Sequence, residues 1–202
     1  MKTNLILFLL LAIAIGGGAL GYLVAPRPQS HADFYAPAIS EDGQGTLVKF
    51  RISLLSGTGR TLVNIQNAKY REDTENALLK AKKNAETLLG VKLEYYDTVL
   101  DIESIGSEVG GESAGAMFTV GIIAAYSGKN VKKDTVMSAG ITEEGLLFAV
   151  DGIEEKILAA QNSGKDKFIV ANSQEIKHPE NMNGVEIIRA KDIREATQQI
   201  IS

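Results

Sequence analysis

Residues 110–127 read GGESAGAMFTVGIIAAYS, from Gly110 to Ser127. After Ser113 the run is apolar on nearly every side at helical spacing, so it has no polar face to show to water. A soluble helix of that kind is buried all round. Other elements therefore have to surround it, and the flanking sequence supplies them. Upstream, Asp73–Leu89 carries apolar residues at 77, 78, 81, 85, 88 and 89, a helical period closed by Gly90. Thr46–Leu55 alternates and is rich in β-branched residues, Ser56-Gly57-Thr58-Gly59 is a turn, and Arg60–Ile65 returns as a strand. Together they predict a hairpin. Val91–Ile105 predicts one or two further strands.

Downstream, Val136–Ile141 and Leu146–Val150 predict short strands around a Glu143-Glu144-Gly145 turn. Asp151–Asn162 predicts a helix with Asp151 as N-cap. Lys167–Ala171 and Val185–Arg189 are strands, and Asp192–Ile201 is a closing amphipathic helix. Strands and helices alternate, which gives an α/β (α+β) class with a mixed sheet and packed helices.

The chain has 202 residues, 45% of them hydrophobic and 23% charged, enough to bury a core. Its formal net charge is −4. Residues 1–30 hold two basic side chains, Lys2 and Arg27, and no acidic one, so the acidic excess lies wholly in the remainder. That balance argues against a nucleic-acid partner. There is no cysteine, which removes disulfides, thiolate nucleophiles and cysteine-based zinc sites. The two histidines, His31 and His178, form no paired ligand spacing, so no metal is expected. No cofactor is expected either.

Leu5–Val24 is an uncharged run of 20 residues, long enough to span a bilayer as a helix. Its first half is also the length of a signal-peptide core, followed by small residues at Gly16–Gly21. Residues 1–24 are therefore expected to be a transmembrane anchor or a signal peptide. Lys2 and the α-amine outweigh Arg27 and put the N-terminus in the cytoplasm. The domain is then extracytoplasmic, tethered to the membrane or secreted. Pro26, Pro28 and Pro37 with small neighbours predict an extended linker over 25–42, leaving 43–202 as the folded domain.

Three features could carry chemistry. Ser113 stands between glycines at the start of the buried helix, where unpaired N–H groups suit an oxyanion. Gly111, Glu112 and Ala114 are the backbone of that loop. Taken alone, the serine is equally a favoured N-cap. Lys156 has Gly152, Ile153, Ala159 and Ala160 as its helical neighbours, so its ammonium faces inward near the positive end of its helix. Both effects disfavour the charged form. A neutral lysine can serve as general base toward a serine hydroxyl; a snorkelling lysine has the same pattern. Ser138, at a strand end before glycine, offers a hydroxyl that could hold the lysine amine. Ser56-Gly57-Thr58-Gly59-Arg60 looks suited to phosphate, but no GxxxxGK[ST] occurs.

Taken together, these features resemble the proteolytic domain of the Lon (S16) serine peptidases. Glu112-Ser113-Ala114-Gly115 and its apolar helix resemble the family's serine motif. Val136-Met137-Ser138-Ala139-Gly140-Ile141-Thr142 resembles the strand that follows. Val150-Asp151-Gly152-Ile153-Glu154-Glu155-Lys156-Ile157-Leu158-Ala159-Ala160 is similar to the lysine helix. The interval from Ser113 to Lys156 is 43 positions. The likeness covers roughly residues 45–202.

The resemblance implies a Ser113–Lys156 dyad, with a hydroxyl partner for the lysine where Ser138 stands. The family commonly has Asp-Gly-Pro ahead of the serine, and threonine at the position of Ser138; this sequence has Gly110-Gly111-Glu112 and serine. It further implies an endopeptidase, and the family's rings make a homo-oligomer an option. The family also carries an ATP-driven unfoldase, and here the sequence departs: it has no ATPase motif, so the expectation is a membrane-anchored or exported form that cleaves peptides, unfolded segments or exposed loops without ATP. Two other readings stay open. One is a small α/β-hydrolase-type esterase using Ser113, Asp151 and His178, which occur in the right order. The other is a catalytically inactive membrane-tethered binding domain that keeps the fold.

Overall fold

The computed structural model describes residues 30–40, 42–66, 69–70, 72–103, 108–109 and 111–202. The segment read as an anchor or signal, residues 1–24, lies outside them. Among the described residues no helix is long and apolar enough to cross a membrane.

The main sheet has four strands in the order β1-β2-β5-β3, formed by β1 (Ser30–Ile39), β2 (Gly45–Ser56), β5 (Tyr96–Glu103) and β3 (Thr61–Gln66). β1 and β2 are antiparallel, with Ser30 opposite Leu54 and Ile39 opposite Gly45. β2 and β5 are antiparallel, and β3 runs parallel to β5. A second sheet is all parallel, in the order β11-β10-β7: β11 (Glu186–Ala190), β10 (Lys167–Ala171) and β7 (Thr135–Ser138). Two small ladders pair β4 (Lys69–Tyr70) with β6 (Glu108–Val109), and β8 (Gly140–Ile141) with β9 (Leu147–Phe148). The helices are α1 (Glu72–Leu89), α2 (Gly115–Ser127), α3 (Ile153–Asn162) and α4 (Ile193–Ile200). The fold is therefore mixed α/β, as the alternation of patterns predicts.

Helix α2 is the centre of the core. Every residue from Gly115 to Ala125 is buried, as its all-round apolar sequence requires. It packs against α1 on one flank and against β1 and β2 on another. Phe118 meets Phe34 and Phe50 edge-on, with centroids 6.4 and 5.4 Å away, while Phe34 stacks on Phe50 at 5.6 Å. Gly121 lets the sheet come this close: a Cβ there would sit 2.4 Å from Cε1 of Phe34 and 2.9 Å from Cδ1 of Ile52.

Three expectations are corrected. Residues 25–42 were expected to be linker, but Ser30–Ile39 is the edge strand β1. Ala32, Phe34 and Ala36 alternate inward and are buried. Small residues and Pro37 mask that period in the sequence, and proline is tolerated because β1 is an edge. The folded unit therefore includes residues well ahead of position 43.

The second correction concerns the hairpin. β2 and β3 do not pair, because β5 lies between them. The Ser56–Arg60 turn wraps around the start of β5 and closes on the buried Asp97. Thr58 N and Arg60 N donate to Asp97 Oδ1 at 2.9 and 3.0 Å, and Arg60 Nε and Nη2 donate to Oδ2 at 2.8 and 2.5 Å. The loop that looked suited to phosphate thus holds the chain's own carboxylate. The Arg60 guanidinium, then the two backbone N–H groups, bring the Asp97 pKa down to about 2.

The third is the N-cap of α3. Gly152, at φ 63°, takes that place with no side-chain cap, and Asp151 lies exposed one residue earlier. Asp192 does cap α4, accepting from Glu195 N at 2.9 Å.

Candidate active site

Ser113 sits in a single 3₁₀ turn, Glu112–Ala114, that leads into α2. Gly111, ahead of it, has φ 102° and ψ 158°, a conformation open to glycine and strained for other residues. Three contacts hold this loop. Gly111 N donates to Asp73 Oδ1 at 2.9 Å, Lys80 Nζ donates to Glu112 Oε1 at 2.5 Å, and Ala139 N donates to the Ser113 carbonyl at 3.2 Å. The first two come from α1 and the third from the β7–β8 junction. The Gly111 N–H, one of the groups expected to face an oxyanion, is thus occupied by a carboxylate.

Lys156 lies in the second turn of α3 and is only 5% exposed. Its Nζ donates to the main-chain oxygen of Asp151 at 2.9 Å. Burial pushes its pKa below the ordinary lysine value, and the charges of Asp151 and Glu155 oppose that shift without cancelling it.

Ser113 and Lys156 line one cavity of about 530 Å³. Gly111 and Glu112 share its serine side and Asp151 and Gly152 its lysine side, while Ala38, Ile39, Phe148, Ala149 and Val150 give it apolar walls. Chemically, the cavity joins a hydroxyl, an amine whose charged form is disfavoured by burial, and a turn at a helix start. That set suits acyl transfer.

Ser138 ends β7, fully buried, and its Oγ has no hydrogen-bond partner among the described residues. A buried hydroxyl left so costs about 1–3 kcal/mol. In this arrangement Lys156 is held by the Asp151 carbonyl rather than by the Ser138 hydroxyl. His178 does not join the site. It is exposed, its ring Nδ1 lies 3.2 Å from Glu180 Oε1, and it is not on the wall of the serine cavity. The Ser113/Asp151/His178 constellation is therefore not assembled. Among the described residues no group of three or more His, Cys, Asp or Glu is placed to hold a metal ion.

Sequence reasoning missed Asp73, Lys80, Ala38, Ile39 and Phe148. Phe148 had a usable signal, since it lies three residues before Asp151. The others had none, because they reach the site only through packing of α1 and β1.

Residues 54–202 match the family of Lon protease (S16) C-terminal proteolytic domains. The chain is 29% identical over 160 residues to a Lon protease of Syntrophomonas wolfei, covering 77% of this chain and 20% of that protein. It is 26% identical over 126 residues to a Lon protease of Finegoldia magna, covering 61% and 16%. With a Lon protease of Nitrosococcus oceani it shares 35% identity over 95 residues, covering 45% and 12%. The chain spans a fifth or less of the length of these relatives.

Proposed function

Because this chain belongs to the family of Lon protease (S16) C-terminal proteolytic domains, we propose that it is a serine endopeptidase working through Ser113 and Lys156. One observation carries the reading. Two residues 43 positions apart, picked out by unrelated sequence cues, line the same cavity, and the lysine there is buried with its charged form disfavoured.

Neutral Lys156 takes the proton of Ser113 Oγ as the oxygen attacks the scissile carbonyl carbon. The developing oxyanion is held by backbone N–H groups of the Glu112–Ala114 turn at the head of α2. Protonated Lys156 then gives its proton to the leaving amine as the C–N bond breaks. Water, deprotonated by the same amine, attacks the acyl carbon; the ester bond to Ser113 Oγ breaks, the acid leaves, and Lys156 returns the proton to Ser113 Oγ. Ser138 is the proposed acceptor that steadies the ammonium once Lys156 moves toward Ser113.

None of these steps uses a nucleotide, so cleavage by this domain is ATP-independent. A cavity of about 530 Å³ with apolar walls admits an extended segment rather than a folded domain. The substrates are then peptides, unfolded proteins or exposed loops. The uncharged run Leu5–Val24 supports a membrane-tethered or exported enzyme with an extracytoplasmic domain. Assembly into a homo-oligomer belongs to the same proposal.

The test is intact-mass labelling of the full chain in non-ionic detergent with a fluorophosphonate, from about pH 6 to about pH 10. One adduct on Ser113, growing with pH and absent in Ser113→Ala and Lys156→Ala, is expected. An adduct that survives Lys156→Ala would sink the dyad. No adduct at any pH would favour the inactive binding domain.

A further inference from the structure

The residue ahead of the nucleophile is a glutamate, and its charge has to be kept in place. Glu112 lines the cavity beside Ser113, next to the turn where negative charge would develop on a substrate oxygen. A carboxylate swinging into that space would repel the oxyanion and raise the barrier. The structure turns it the other way. Glu112 Oε1 takes a hydrogen bond from Lys80 Nζ at 2.5 Å, and Glu112 also borders a second groove with Lys80, Lys83 and Glu143, none of which lines the serine cavity.

The helix that supplies Lys80 also anchors the backbone. Asp73 and Lys80 are seven residues apart on α1, two turns along one face. Asp73 takes the Gly111 N–H, so the chain ahead of Glu112 is tied down. The direction of the Glu112 carboxylate is then decided by its side-chain torsions and by Lys80. Lys80 is half-buried and Glu112 exposed, with 34% and 46% of their side chains accessible, so the pair faces solvent and acts on the carboxylate by placing it rather than by a strong attraction.

We propose that Lys80 is a positioning residue for the nucleophile: it draws out and neutralises the Glu112 carboxylate, keeping that charge away from the oxyanion position. The proposal rests on the peptidase reading for its catalytic consequence, but not for the tether itself.

The test compares the full chain with Lys80→Met and with Lys80→Met/Glu112→Gln. Two readouts are used: fluorophosphonate inactivation of Ser113, and hydrogen exchange of the amides at 112–114. In Lys80→Met the maximal inactivation rate is expected to fall about tenfold, with probe affinity within about twofold, because only the charged transition state feels the carboxylate. Exchange at 112–114 is expected to quicken. In the double variant the inactivation rate should return to within about threefold of the parent, since no charge is left to hold. A double variant as slow as Lys80→Met would overturn the proposal, because a packing role for Lys80 is not rescued by removing a charge. If the parent chain takes no phosphonyl group at Ser113, the peptidase reading fails. Exchange alone then decides the tether: faster exchange in Lys80→Met upholds it, and unchanged exchange overturns it.

Discussion

The Nζ of Lys156 donates a hydrogen bond to the main-chain oxygen of Asp151 at 2.9 Å, from inside the cavity that Ser113 also lines. A carbonyl accepts from a neutral amine as well as from an ammonium, though more strongly from the ammonium. A neutral amine keeps two N–H bonds and one lone pair, so it can stay tied to Asp151 while its lone pair is open to a proton. The tether therefore fixes the amine without demanding its charge.

The first prediction separates catalysis from stability at this residue. Lys156→Met should lower the rate of Ser113 acylation by about a hundredfold or more, the loss typical when a positioned general base is removed. The same change replaces a buried amine with an apolar chain of similar length. The thermal midpoint should therefore hold or rise by about 3 °C, roughly 1 kcal/mol for a domain of this size. A large fall in Tm would mean that the lysine is mainly a structural element. Fluorophosphonate kinetics and calorimetry on the same preparation decide it.

Acylation should depend on pH through Lys156. Burial lowers its pKa, so below that value the amine is protonated and cannot take the Ser113 proton. The rate should rise as pH climbs through the lowered value, with its midpoint below the ordinary lysine value near 10.4. Asp151 and Glu155 hold the pKa up by their charges. Asp151→Asn or Glu155→Gln should move the midpoint to lower pH. A midpoint at or above about pH 10.4 in the parent chain would count against Lys156 as the base.

Acid stability should run through Asp97. Its folded pKa, about 2, is below the ordinary carboxylate value, because Arg60 and the Thr58 and Arg60 N–H groups favour the ionised form. The unfolded chain binds that proton first as pH falls. The stabilisation is therefore complete above about pH 4 and is lost between about pH 4 and pH 2. Asp97→Asn should lower Tm by several degrees at neutral pH, and the gap to the parent should narrow toward pH 2. A gap that stays constant would show the effect to be packing alone.

Strand β1 should prove part of the domain. Phe34→Ala removes a ring that touches both Phe50 and Phe118, and should cost about 3–5 kcal/mol. Gly121→Ala forces a methyl against the same ring from the helix side and should cost about 1–3 kcal/mol. Urea unfolding measures both. A cost below about 0.5 kcal/mol for Phe34→Ala would mean that β1 is held only loosely.

Helix α2 was legible because Gly115–Ala125 offers water no polar face, so all-round burial follows from composition alone. The same holds for α1, whose apolar period matches the observed Glu72–Leu89, and for Lys167–Ala171, which forms β10 as read. The inward aspect of Lys156 was legible too, since its four helical neighbours are small or apolar and it is buried among them. These are local properties: side-chain chemistry repeated at the period of one element.

Pairing between elements was not local, and there the reading went astray. Two strands and a glycine turn look like a hairpin from sequence, but Asp97 takes the turn's N–H groups and β5 enters between β2 and β3. No pattern within residues 46–65 encodes a partner near position 97. β1 read as linker because Pro37 and small residues weaken its alternation, and only Phe50 and Phe118 reveal what Phe34 is for.

The sequence by itself determined the class of fold, the buried central helix and the two residue types that could perform acyl transfer. Each is set by the apolarity and spacing of near neighbours, which the chain states directly. Only the tertiary structure decided that Ser113 and Lys156 share a cavity, that Asp73 and Lys80 hold the loop before the serine, and that β1 walls the site. Those are meetings of residues from distant parts of the chain, and the packing of whole helices and strands around one core sets the distances between them.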